Sequence, residues 1–443
     1  MNHLATKVGA RRAGRQDGMA LVLVLLVIAV LALLGVAGTR SAQTELQMGG
    51  KDMLGRQALS AAEAGINHAY SLINANTANR PNAPSACGTC WGFDSELGSG
   101  GTGGALASLG TTATLGSTSY RFRNFGSGTA DGYYVQAVDN FDEQSGANNP
   151  ATDRDVRISL VSRGRVGGAE RVVTALVTGT SLFPYGIFSK TTITMSGGSF
   201  TDSFDSRDGA YSAGTASSHG NVRANGNISL SGGSTTVKGD ATSSGTVTAA
   251  ELPPYGVTGT PTNNAPPLTL PSVPACGPPY SSGAGITLGS GQTYVSSTGV
   301  LTMQGGPTTT LAGGTYCFSA ITLGGGSVLS VSSAVNIYVT GEAKLSGGSI
   351  ANTTLNASNL KLFSSLNAPG DTNGVVVSGG TSTYMSVYAP DTVVTVSGTS
   401  DFYGSLIGYK VVPSGGSKIH FDQASASVLG TGVALSAWHE VRN

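Results

Sequence analysis

Residues 19–37, MALVLVLLVIAVLALLGVA, carry no charge, and no other stretch restricts the folding of this chain as much. As a helix rising 1.5 Å per residue they span about 30 Å, the thickness of a bilayer's hydrocarbon core. Four cations (Lys7, Arg11, Arg12, Arg15) and one acid (Asp17) lie ahead of or beside the run. That asymmetry predicts a cytoplasmic N-terminus and export of everything after Thr39. A cleaved secretory signal has a shorter apolar core, of roughly 7–15 residues, whereas a permanent single-span anchor is compatible with the length.

The segment that follows favours a third reading. SAQTELQMGGKDMLGRQALSAAEAGINHAYSLIN, residues 41–74, is rich in Ala, Leu, Gln and Glu. Leu59, Ala62, Ile66, Ala69 or Tyr70, and Ile73 fall on one face at helical spacing. One continuous helix of roughly fifty residues is expected, its first half suited to lipid and its second lying on a globular domain. Gly49-Gly50 interrupts it, at a cost of about 1 kcal/mol per glycine relative to alanine, and marks a place to bend or melt.

Only 11% of the 443 residues are charged and the formal net charge is zero, which argues against a nucleic-acid partner. The 66 glycines follow no Gly-X-Y period, and strand-like runs such as NIYVT recur among them. Both features indicate a β-rich fold with frequent tight turns rather than disorder. After a loop-like stretch at 75–117 come SYRFRNF, GYYVQAVD, DVRISLVSRGRV and ERVVTALVTG. Tyr120/Phe122 and Val156/Ile158/Leu160 alternate as half-buried antiparallel strands do. A four-stranded sheet packed on the amphipathic half-helix follows. Between two of these strands, Asp139, Asn140, Asp142, Glu143, Asp153 and Asp155 gather oxygen ligands that suit calcium, without the spacing of an EF-hand; a solvated turn is the competing reading.

From about Ser181 the motifs MSGGSF, LSGGST, LGGGSV, LSGGSI, VSGGTS, VSGTSD and PSGGSK recur. Glycines 325, 347, 379, 398 and 415 are spaced by 22, 32, 19 and 17 residues, the period of solenoid coils with one loop insertion. Small residues suit sharp corners between stacked strands. Ile321, Leu323, Val328, Leu329, Val335, Ile337, Val339, Leu345 and Ile350 form an apolar stripe that a flexible linker does not need. A right-handed parallel β-helix is therefore expected over 181–443. Residues 251–280, with nine prolines, form a surface excursion pinned at its end by Cys276.

In an exported chain the four cysteines are expected as disulfides. Cys87 and Cys90 form a CxxC set among Pro, Asn, Gly and Ser, which reads as a local bridge; a redox motif and half a zinc site are the alternatives. A second bridge, Cys276–Cys317, is the accompanying expectation.

The short basic leader, Gly18, the hydrophobic helix and LSAAEAG together resemble the type IV prepilins, most closely the PilX-type pilus assembly proteins, over residues 15–75. The resemblance implies cleavage between Gly18 and Met19 by prepilin peptidase, methylation of the new N-terminus, and packing of the helix among other pilins and minor pilins. It also implies an inner-membrane stage before assembly into an extracellular pilus. Major pilins carry glutamate at the fifth mature position, where this chain has Leu23. A buried carboxylate needs a partner charge, and a leucine there cannot make that contact, which points to a minor subunit. Glu63 matches a motif position and is expected either as a solvated helix charge or in a structural pairing. SVYAPDTVVTV, DFYGSLIGYKVV and IHFDQA resemble the glycine-serine-rich β-helical heads attached to PilX-type N-termini, over most of 183–425.

The domains expected are a leader (1–18), the helix (19–75), a pilin-like head with an antiparallel sheet (76–180) and the β-helix (181–443). No catalytic constellation stands out. Asp202, Asp205, Arg207 and Asp208 form the densest cluster of the second half and equally suit a cap on the first coil. Asp371, Asp391, Asp401 and Asp422 are scattered, and His219 and His420 lie far apart. The expectation is a structural, non-enzymatic subunit with no cofactor beyond calcium, whose head displays a surface for glycans or cell-surface proteins. A secretion-system pseudopilin and, behind it, a polysaccharide-active β-helix enzyme are the alternatives; the irregular Thr pattern speaks against ice binding.

Overall fold

The computed structural model describes residues 17–77, 92–126, 130–141, 149–249, 256–274, 276–370, 374–379, 382–399 and 401–441. Its first element is a single helix, α1, Asp17–Thr77, about 90 Å long. The helix passes through Gly49-Gly50 unbroken, so the expected bend is absent here. Side chains from Met19 to Met48 touch almost nothing, while Ala58, Ala62, Ile66, Ala69 and Ile73 are buried. The face read from the helical period is the face that packs.

It packs on an antiparallel sheet in the order β1 (Thr111–Leu115), β2 (Thr118–Asn124), β3 (Gly132–Asp139), β4 (Arg157–Val166), β5 (Ala169–Ser181) and the C-terminal strand Leu429–Val441. Two of these six strands differ from the sequence expectation. Thr111–Leu115 falls in the stretch read as loop, and Leu429–Val441 in the interval assigned to the β-helix. The first is a polar edge strand, largely exposed, without an apolar signal. The second is defined by pairing with β5, as in Leu435 opposite Val177, which only the folded chain reveals. The β4–β5 hairpin turns on Gly167 and Gly168, at φ 56° and 84°, the left-handed pair that a two-residue hairpin of this hand requires.

The remaining chain forms a parallel β-solenoid of about nine turns. Ridges of inward side chains run its length: Leu301, Ile321, Ala343, Val375, Val394, Val411, Ile193, Ile228 and Val247 are successive register partners. Of the apolar stripe read from the sequence, Val328 alone is only half-buried. The corners stack too. Gly325, Gly347, Gly398 and Gly415 all have φ between 61° and 93°, and a side chain on Gly325 would strike the backbone of Gly305 in the next coil.

Spatial order departs from chain order. The chain enters beside the head at Ile187–Met195 and winds outward through Ile228 and Val247. It then returns along the outside to start again at the far end near Leu301. Five coils later Leu406–Val411 docks on Ile187–Ile193, and Lys418–Asp422 on Phe200–Phe204, closing the solenoid in its middle. Within the proline-rich stretch Gly256–Val257 and Pro261–Thr262 still pair with the coil at Thr236–Val237 and Ala241–Thr242, so the excursion starts later than expected and the return path begins after Thr262. Its backbone is held by Arg223 Nη2 on the Pro266 carbonyl (2.6 Å), by two bonds between Asn225 and Leu268 (2.7 and 2.9 Å), and by Tyr388 Oη on the Pro271 carbonyl (2.6 Å). It lies over an outward column of register partners, Arg223, Phe188, Ile407, Tyr388, Phe363, Tyr338 and Cys317. The Cys276–Cys317 disulfide, with Cα atoms 5.7 Å apart, bolts its end to the last rung.

Candidate functional site

Three places gather the residues singled out in the sequence and their partners: α1 and its seat, the joint between head and solenoid, and a histidine-carboxylate ladder on an outward face of the closing coils.

The seat of α1 explains the small residues of LSAAEAG. An added side chain at Gly65 would strike Ser162 and crowd Val135 and Tyr133, and one at Gly164 would drive into the helix backbone at Ala58 and Ala62. Helix and sheet therefore meet almost backbone to backbone. Tyr70 Oη donates to the Val433 carbonyl (2.9 Å), tying the C-terminal strand to the helix, and His68 Nδ1 bonds Tyr133 Oη (2.8 Å). Leu23 is one of a sheath of exposed aliphatic side chains from Met19 to Val36. Residues 1–16 lie outside the described residues, so Gly18 and Met19 are placed only as the start of α1. Glu63 is half-buried at a groove rim and makes no ion pair or hydrogen bond among the described residues.

At the joint, Arg154 from the head loop reaches Asp208 Oδ1 (2.8 Å) and Asp205 Oδ2 (3.6 Å) of the solenoid. Arg207 grips Asp205 with Nε and Nη2 (2.8 and 2.6 Å) and donates to Ser427 Oγ (2.8 Å), whose hydroxyl in turn donates to the Arg154 carbonyl (3.3 Å). The acidic cluster singled out in the sequence is thus an electrostatic clasp between two domains. Nearby, Asp153 is buried, and its oxygens accept the N–H groups of Phe93, Asp155, Val156 and Arg157 at 2.8 to 3.2 Å. These bonds hold Val156, a β-branched residue, at φ 65°.

Of the six residues read as calcium ligands, Asp142 and Glu143 lie outside the described residues. Asp139 is buried in β3, Asn140 Nδ2 donates to Asp155 Oδ2 (3.1 Å), and Asp153 is engaged as above. Among the described residues no three His, Cys, Asp or Glu side chains are gathered as a metal site needs. Cys87 and Cys90 also lie outside the described residues.

Burial raises the carboxyl pKa of Asp153 to about 6, against the pull of its backbone hydrogen bonds, and does the same to Asp422 in the closing coil. Asp422 accepts from Ser206, Ala357 and Ala424 N–H groups at 3.0 to 3.1 Å. A carboxyl harder to ionise folded than unfolded contributes stability that is complete below its unfolded pKa and is lost as pH rises through about 6. Melting temperature is therefore expected to rise by several degrees as pH falls from 7 to 5. Asp422→Asn should flatten that slope, as differential scanning calorimetry would record.

The third place joins residues far apart in sequence. Along one solenoid face Tyr384, Tyr403, His420 and Asp202 are neighbours in register. Tyr403 stacks between Tyr384 (4.2 Å) and His420 (4.8 Å). His420 Nδ1 lies 2.5 Å from Asp202 Oδ1 and its Nε2 3.6 Å from Asp401, while Tyr211 Oη donates to Asp202 Oδ2 (2.9 Å). His420 and Asp202 are each at most 2% exposed, sealed by the loop that carries Tyr211. His219 reaches the same strand through Ser217, which bonds Ser203. Strand register creates this grouping; no spacing in the sequence announces it.

Residues 17–67 match the family model described as PilX N-terminal, and residues 321–428 match a domain of unknown function (DUF7305) that covers the returning coils. No curated protein matches the chain. Among solved structures, the competence-associated pilin ComZ from Thermus thermophilus is similar at 14% identity and a TM-score of 0.30, over 88% of this chain and 97% of that one. An ice-binding protein from the Antarctic ascomycete Antarctomyces psychrotrophicus is similar at 13% identity and a TM-score of 0.25, over 57% of this chain and 100% of that one. Scores this low carry no weight for function.

Proposed function

We propose that this type IV pilin-like protein, PilX-type over residues 17–67, serves as a minor subunit that carries its β-solenoid into a pilus and displays it for adhesion or partner binding. The observation that carries the reading is α1. About 30 residues of it, beginning at Met19, are bare on all sides, and their apolar part is long enough to cross a bilayer. Such a surface is tolerable only among lipid tails or among other apolar helices. Leu23, apolar where a major subunit has its carboxylate, supports the minor role. The joint supports display, because Arg154 and Arg207 fix the solenoid to the head instead of leaving it on a tether.

The display surface is polar. Thr302, Thr322, Lys344, Val376, Thr395, Val412, Thr194, Ser229 and Thr248 form one outward column of hydroxyls, methyls and an amine, of the kind that hydrogen-bonds sugars or protein backbones. Asp202 and Asp205 are engaged within the chain and almost wholly buried, so neither carboxylate belongs to the display surface.

Fibres sheared from cells should contain the chain at a small fraction of the main subunit, and fibres lacking it should lose binding to cells or glycans. A chain found only in membranes contradicts the proposal, and co-purification with a secretion apparatus assigns it to the pseudopilins instead.

A further inference from the structure

A groove runs between α1 and the edge of the head sheet, lined by Glu63, Ile66 and Asn67 of the helix and by Leu435, Ala437 and Trp438 of the C-terminal strand. Two features mark it. Glu63 lacks any partner among the described residues although it is half-buried, a position in which a carboxylate gains from a counter-charge. Trp438 is 56% exposed on a strand whose pairing shifts between Ser436 and His439, and Ala437 between them is held at φ 47°. A bulge with a strained non-glycine residue that presents a large aromatic ring to solvent is a feature found at binding surfaces. An indole beside a carboxylate, over an aliphatic floor, has the chemistry of a cation receptor.

We propose that this groove receives a lysine or arginine side chain from an adjacent pilin-type subunit, which rests on the reading of the chain as a fibre component. Charge complementarity selects the occupant: an aliphatic stem fits against Ile66 and Leu435 while its charged end meets Glu63 and the ring of Trp438. Helices of this type offer such groups. On α1 itself Arg40 and Lys51 make no side-chain bond among the described residues. Lys51 stands twelve residues before Glu63, or about 18 Å along the axis. A parallel neighbouring helix offset by a comparable distance brings a cation level with the groove.

The test compares the full-length chain with Glu63→Lys, Glu63→Asp and Trp438→Ala, quantifying each in sheared fibres and in membranes. Glu63→Lys should fall at least tenfold in fibres and Trp438→Ala several-fold, while Glu63→Asp stays near wild type. Membrane levels and melting temperature in detergent should be unchanged for Glu63→Lys, because Glu63 makes no hydrogen bond or ion pair among the described residues. Entry of Glu63→Lys into fibres at the wild-type level overturns the proposal alone, as does loss that tracks a lowered melting temperature. Absence of the wild-type chain from fibres overturns the fibre reading and this proposal with it.

Discussion

Gly164→Ala should destabilise the head by about 3 kcal/mol, the upper range for overpacking a rigid contact. The new methyl would fall inside the backbone of α1, against the Ala58 carbonyl and the Ala62 nitrogen, and neither can rotate aside as a side chain can. The helix would have to lift from β4 along the line of Ala58, Ala62 and Ile66, uncovering Ile158 and Leu160 of the sheet. Two controls separate this effect from the general consequences of removing glycine. Gly49→Ala adds a methyl to open space in the middle of α1 and should leave the head unchanged, or raise helix stability by about 1 kcal/mol. Gly168→Ala meets no atom either, but sits at φ 84° and should lose roughly 1 kcal/mol from strain alone. Chemical denaturation in detergent, followed by the near-ultraviolet signal of the head tyrosines, ranks the three.

Tyr388→Ala is expected to cost about 4 kcal/mol, as for other buried aromatic truncations, with damage concentrated on the return strap. Tyr388 is 1% exposed, near the centre of the outward column, with ring contacts to Phe183 (6.0 Å) and Phe363 (6.2 Å) and its hydroxyl on the Pro271 carbonyl. Leu270, Val273 and Cys276 of the strap pack on the same cluster. Its removal opens a cavity under a segment that has few hydrogen bonds of its own. Tyr388→Phe keeps the ring and strands one carbonyl, for about 1 kcal/mol. Opening the Cys276–Cys317 bridge, which closes a separation of 41 residues, releases the strap end and costs about 4 kcal/mol by loop entropy. Limited proteolysis should then show cleavage within 256–280 in Tyr388→Ala and in the reduced protein, with the coils beneath still intact in Tyr388→Phe.

Features that depend on local period are legible in the sequence. The helical face of Ala62, Ile66 and Ile73, the alternation of Ile158 and Leu160, and the glycine corners all repeat within a few residues, so the chain displays them directly. Features made by distant pairing stayed hidden. That Val411 docks on Ile193, and that Leu435 lies beside Val177, depends on which coil or strand finds which, and no local pattern encodes it. The aromatic column was masked differently. In Val335–Val339 all five residues are buried, the inward three by the core and the outward two by neighbouring ladders and the strap, so the two-residue rhythm disappears. The acidic cluster at 202–208 was visible, but its partners Arg154, Ser427 and His420 lie 50 to 220 residues away in the chain. Its roles, joining the head to the solenoid and closing the coils, emerge only from the fold.

The proposed transfer of α1 from membrane to fibre is tested most directly by the mass of the N-terminal peptide of the chain recovered from sheared fibres. The prediction is a peptide beginning at Met19 with one added methyl group. A fibre-borne chain that still begins at Met1, or a chain retained in the membrane and never recovered with fibres, contradicts it.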